Sequence, residues 1–92
     1  GEDNAVCVFG DGEELSFEAG KCGMVSVFSP DRTTGVDLEG LKYPLSDACL
    51  TSSVPLGVSN EFTGTEAKIS ARDGVLIVMW NEDAESFVKR IR

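Results

Sequence analysis

Apolar and polar residues alternate with period two along much of this chain, which predicts strands from one end to the other. In residues 14–19, Leu15, Phe17 and Ala19 fall on one face while Glu14, Ser16 and Glu18 fall on the other. That pattern belongs to a strand wetted on one side. Residues 5–9 form a short apolar run closed by Gly10, Asp11 and Gly12, a strand followed by a turn signal. A second turn at Gly20-Lys21-Cys22-Gly23 leads into residues 24–28, which Ser29, Pro30 and Asp31 end. Residues 31–40 are polar and glycine-flanked and read as a loop, with a short extended piece around Val36 and Leu38. Residues 41–45, 48–51 and 58–62 read as short extended segments.

Residues 67–72 alternate, Asp73 and Gly74 follow, and residues 75–80 are continuously apolar. Asp-Gly between two β-patterned runs predicts a type I′ hairpin. The continuous run predicts a central strand covered on both faces. In the tail, Asn81 is a capping residue, with acids at 82, 83 and 85 and bases at 89, 90 and 92. Phe87 and Ile91 share a helical face, so a short helix is expected there, with an unstructured end as the alternative. The fold class is all-β: a β-sandwich or jelly-roll-like barrel with a short C-terminal helix.

Composition narrows the function. Ninety-two residues make one domain with a single modest core. A net charge of −8 argues against a nucleic-acid partner, which requires clustered cations. The acidity reads first as solubility; it is also compatible with a cationic small molecule and disfavours a polyphosphate. There is no histidine, so a Ser-His-Asp triad, a Cys-His dyad and a zinc site with histidine ligands are all excluded within these residues. Cys7, Cys22 and Cys49 are odd in number and widely spaced. They read as reduced thiols of a cytoplasmic protein, with Cys7 buried in its apolar run. No apolar run reaches the roughly 20 residues of a membrane span, and no signal peptide opens the chain. The first residue is not Met, and the chain reads as a domain cut from a longer protein.

Two segments carry the candidate chemistry. In Gly40-Leu41-Lys42-Tyr43-Pro44-Leu45, Pro44 pushes Tyr43 into an extended conformation. In Gly57-Val58-Ser59-Asn60-Glu61-Phe62, Gly57 permits close backbone approach, and Ser59 and Asn60 offer a hydroxyl and an amide side by side. An aromatic face with a compact donor–acceptor pair suits a flat heterocycle. Each residue also has a plainer reading. Ser59 and Asn60 can satisfy their own backbone in a turn, and Tyr43 can pack as an edge aromatic. Lys42 falls opposite Tyr43 if the segment is a strand, and Trp80 reads as core or rim. Glu61 offers charge to a cation or is an exposed carboxylate.

Those two segments, with Gly74-Val75-Leu76-Ile77-Val78 after them, stand in the order and at the spacing that resemble the C-terminal domain of thiamin pyrophosphokinases. The likeness runs from Leu15 to Trp80. It departs at residues 51–56, where the family commonly has a Gly-Ser-like turn, and in the tail beyond Trp80. The resemblance implies an enzyme that transfers pyrophosphate from ATP to thiamin, giving thiamin diphosphate and AMP. It implies that Mg²⁺ and ATP are held by carboxylates of an N-terminal α/β domain, and that the present C-terminal domain contributes thiamin contacts at Ser59, Asn60, Tyr43 and Gly57 but no catalytic group or metal ligand. It further implies a homodimer whose thiamin sites draw on both subunits. The competing reading is a non-enzymatic β-sandwich module for protein interaction or carbohydrate binding.

Overall fold

The computed structural model describes residues 4–53, 58–81 and 88–91, with backbone alone at 4, 5, 7, 9 and 88–91. Among the described residues every regular element is a strand. In chain order these are β1 (Asn4–Gly10), β2 (Glu14–Phe17), β3 (Met24–Phe28), β4 (Arg32–Glu39) and β5 (Leu45–Thr51). They continue with β6 (Asn60–Glu61), β7 (Ala67–Ser70), β8 (Val75–Asn81) and β9 (Val88–Ile91). Two antiparallel sheets result, in the orders β1-β8-β3-β6 and β5-β4-β7-β2-β9. The architecture is a sandwich of separate sheets and needs no closed barrel.

Alternation places the core between the sheets. Leu15 and Phe17 from β2, Val36 and Leu38 from β4 and Ile69 from β7 are buried. They meet Val25 and Val27 from β3 and Leu76, Val78 and Trp80 from β8. Trp80 is therefore core. Its ring stands edge-on to Phe17 at 5.0 Å and 88°, and Phe62 tilts onto Phe17 at 5.0 Å and 60°, geometries that the aromatic quadrupole favours.

Several expectations are corrected. Residues 32–39 form the full strand β4 instead of a loop. A left-handed Gly35 (φ 64°) and register shifts against β5 interrupt its alternation, which hides the period. Ala19 is exposed, because β2 ends at Phe17. Residues 67–72 and 75–80 do not form a hairpin: β7 lies in one sheet and β8 in the other. Asp73 and Gly74 make the corner between them, and the Asp73 carbonyl accepts from the Thr34 N–H at 2.8 Å. Gly74 has φ 104°, and a Cβ there would meet the Arg32 carbonyl and Thr33, so close approach as well as the turn requires glycine.

Strand β8 is central, but it is covered on one face. Val75 and Met79 on the other face are 42% and 39% exposed. At the tail, Val88–Ile91 is a strand paired antiparallel with β2, not a helix; residues 82–87 of that expectation lie outside the described residues. Cys22 and Cys49 are free thiols at the surface. The Cys7 side chain lies outside the described residues. No helix among the described residues is long and apolar enough to cross a membrane.

Candidate functional site

Gly40 (φ 77°) turns the chain out of β4 and lays the next residues against the segment 60–63. Leu41 bridges Phe62, and the Lys42 N–H donates to the Glu61 carbonyl at 2.9 Å. Thr63 Oγ1 donates to the Gly40 carbonyl at 2.8 Å. The stretch 41–44 is thus a bend with one bridge residue, and β5 starts only at Leu45. That corrects the expected strand over 41–45. Because strict alternation fails there, Lys42 and Tyr43 do not point apart: Lys42 Nζ lies 5.5 Å from the centre of the Tyr43 ring.

Asn60 organises the corner. It is 1% exposed, and burial of a primary amide demands partners. Its Oδ1 accepts the Tyr43 N–H at 2.9 Å and the Glu61 N–H at 3.0 Å. Its Nδ2 donates to the Tyr43 carbonyl at 2.8 Å. The side chain therefore grips both backbone groups of Tyr43 much as a neighbouring strand would, while the Tyr43 side chain stays 54% exposed. Sequence pattern brings Ser59, Asn60 and Tyr43 forward, and the structure joins Tyr43 to Asn60 directly. Gly57 lies outside the described residues.

Ser59 is exposed and adopts φ 61°, a left-handed conformation that a non-glycine residue seldom takes. Its N–H donates to Ser26 Oγ on β3 at 3.2 Å. Ser26 in turn lines a groove of about 490 Å³ with Phe28, Pro30, Ser52, Val58 and Met79. Sequence reasoning missed this groove, since its walls come from four separate stretches. It also missed Lys21, whose Nζ lies 5.8 Å from the Phe17 ring and 5.9 Å from the Phe62 ring. The glycines flanking Lys21 signal a turn and nothing about what the ammonium covers.

Backbone strain at an exposed serine beside a groove points to a use for its side chain. Ser59→Gly is expected to stabilise the fold by about 0.5–1 kcal/mol, the left-handed penalty less the entropy glycine adds. Urea unfolding measures this, and a loss of stability would contradict the strain. Among the described residues no group of three or more acidic or sulfur side chains is placed to hold a metal ion. Lys42 Nζ and Glu61 Oε2 are 3.7 Å apart at the surface.

Residues 14–76 match the family model of the thiamin pyrophosphokinase vitamin B1 binding domain. The chain belongs to that family. The match contains Tyr43, Gly57, Ser59 and Asn60. A similar fold occurs in the thiamine pyrophosphokinase of Bacillus subtilis, with TM-score 0.73 and 26% identity over 87% of this chain and 38% of that one. The Geobacillus thermodenitrificans thiamin pyrophosphokinase shares the fold at TM-score 0.72 and 23% identity, over 89% and 39%. A thiamin pyrophosphokinase family protein from Enterococcus faecalis does so at 0.68 and 20%, over 87% and 37%. The vitamin B1 binding domain thus spans about two fifths of the length of these solved structures. No curated protein matches the sequence.

Proposed function

We propose that this vitamin B1 binding domain supplies the thiamin-recognising surface of a thiamin pyrophosphokinase, which transfers pyrophosphate from ATP to thiamin. The observation that carries the reading is the Asn60 clamp: a buried amide fixes the backbone of an exposed tyrosine beside a strained, exposed serine. Rigid presentation of a few polar and aromatic groups is what selective recognition of a small heterocycle needs. Ser59, with Gly57 nearby in sequence, offers its hydroxyl to the edge of the aminopyrimidine, and Tyr43 offers its ring face to a ring of the vitamin. Asn60, whose acceptor oxygen already takes two peptide N–H groups, serves the vitamin by holding Tyr43 in place.

Phosphoryl transfer depends on positioning and on metal-held charge more than on protein nucleophiles. On this reading Mg²⁺ and ATP belong to carboxylates of an α/β domain of the complete cytoplasmic enzyme, and this domain orients the acceptor. A homodimer is part of the same proposal. Strands β1, β3 and β8 contain no charged residue, in a chain of net charge −8. Their outer side exposes Val6, Val8 and Met79. Two copies meeting there avoid like-charge repulsion and bury apolar surface.

Incubating the complete protein with thiamin and MgATP is expected to yield thiamin diphosphate and AMP; a folded protein that forms neither product contradicts the proposal. Ser59→Ala and Asn60→Ala are each expected to raise KM for thiamin about tenfold, from about 1–3 kcal/mol of lost hydrogen bonding or positioning. Steady-state kinetics unchanged in both variants would place the pocket elsewhere.

A further inference from the structure

The corner at Tyr43 already holds a cation. Lys42 Nζ sits 5.5 Å from the Tyr43 ring centre and 3.7 Å from Glu61 Oε2. An aromatic face and a carboxylate thus converge on one ammonium. Both supports are fixed by backbone. Asn60 grips the N–H and carbonyl of Tyr43, and the Lys42 N–H to Glu61 carbonyl bond sets residues 42 and 61 side by side. The ammonium itself is held loosely. The side chains of Lys42 and Glu61 are 53% and 45% exposed, and an ion pair so wetted contributes little. Lysine is also strongly hydrated and flexible, and gains by returning to water.

We infer that the Tyr43 ring and the Glu61 carboxylate form a seat for a flat organic cation, which the Lys42 ammonium fills until such a ligand displaces it. A planar, delocalised, weakly hydrated cation stacks on the phenol ring better than an ammonium does and gives up less hydration in doing so. The net charge of −8 raises the local concentration of such ligands. A neutral ring has nothing to offer Glu61 and must compete with Lys42 without compensation, so the seat selects for charge. Assigning the thiazolium of thiamin as its natural occupant rests on the function proposed above; the seat's preference for aromatic cations does not.

The test is a titration of the full chain with an N-methylated thiazolium and with the neutral parent thiazole, followed by NMR at the Tyr43 ring protons. The cation is expected to shift those resonances at concentrations where the neutral ring does not, with added salt narrowing the difference. Lys42→Met is expected to tighten cation binding about threefold, and Glu61→Gln to weaken it about threefold. Tyr43→Leu should erase the preference for charge. Lys42 and Glu61 are exposed enough that their replacement leaves the core untouched. Equal binding of the two rings, or cation affinity unchanged or weakened in Lys42→Met, overturns the seat. A parallel titration with thiamin separates the two ideas. Cation binding that follows Lys42 while thiamin fails to bind upholds the seat and removes the vitamin function. Thiamin binding while cation binding is indifferent to Lys42 removes the seat and leaves the function standing.

Discussion

Gly40→Ala is expected to destabilise the domain by about 3 kcal/mol or more, a large share of the stability of a chain this size. Two effects add. At φ 77° an L-residue is strained, by about 1–2 kcal/mol. In addition, a Cβ at this position would overlap the Glu66 carbonyl and crowd Ala67 Cα, both of them backbone and unable to swing aside. The neighbouring strands β4 and β7 would have to part at Leu38 and Ile69, which pair there and are buried. Since Gly40 also aims Leu41 to Tyr43 at the Asn60 clamp, any folded fraction should bind thiamin poorly. Urea unfolding monitored by circular dichroism measures the change, and a loss below about 1 kcal/mol would contradict the close approach.

Phe17→Ala should destabilise the fold by about 3–5 kcal/mol, the range for emptying an aromatic from a core. Phe17 is 0% exposed and joins the two sheets through its contacts with Trp80 and Phe62, each at 5.0 Å. Lys21 Nζ also rests 5.8 Å from its ring, so the cavity would remove the floor beneath that ammonium. Trp80 is the only tryptophan, and its fluorescence reports on the site directly. Phe17→Leu should lose less, because it keeps most of the apolar volume. Unchanged Trp80 emission together with unchanged stability would mean that Phe17 does not bridge the sheets.

Local patterning revealed the strands whose alternation is unbroken. Leu15 and Phe17 announce their buried face two residues apart. In the continuously apolar run 75–80, by contrast, no alternation tells the covered side of Leu76, Val78 and Trp80 from the open side of Val75 and Met79. Elements shaped by distant partners stayed hidden. Gly35 with its register shift scrambled the period of β4. Asp73 and Gly74 show a turn in either architecture; only the pairing of β7 with β2 and β4, and of β8 with β1 and β3, makes the turn a corner between sheets. In the tail, capping and charge signals favoured a helix, but pairing with the edge of β2 gives Val88–Ile91 a ladder of hydrogen bonds that a short isolated helix cannot match.

The candidate site was legible by residue type and not by role. Tyr43 and Asn60 stand 17 residues apart, and nothing local to Ser59-Asn60-Glu61 says that the amide is buried against the tyrosine backbone. The Lys42 ammonium over the Tyr43 ring depends on the bend at 42–43, which extended-strand spacing does not anticipate. Hydroxyl, amide and phenol were visible in the letters. Their division into a clamp and two presented groups required the fold.

The most direct measurement is a crystal structure of the complete protein with thiamin bound. The vitamin should lie within contact distance, about 4 Å, of both the Tyr43 ring and the Ser59 hydroxyl, with the Asn60 amide still bonded to the Tyr43 backbone. Thiamin ordered in a pocket that touches neither side chain would contradict the account.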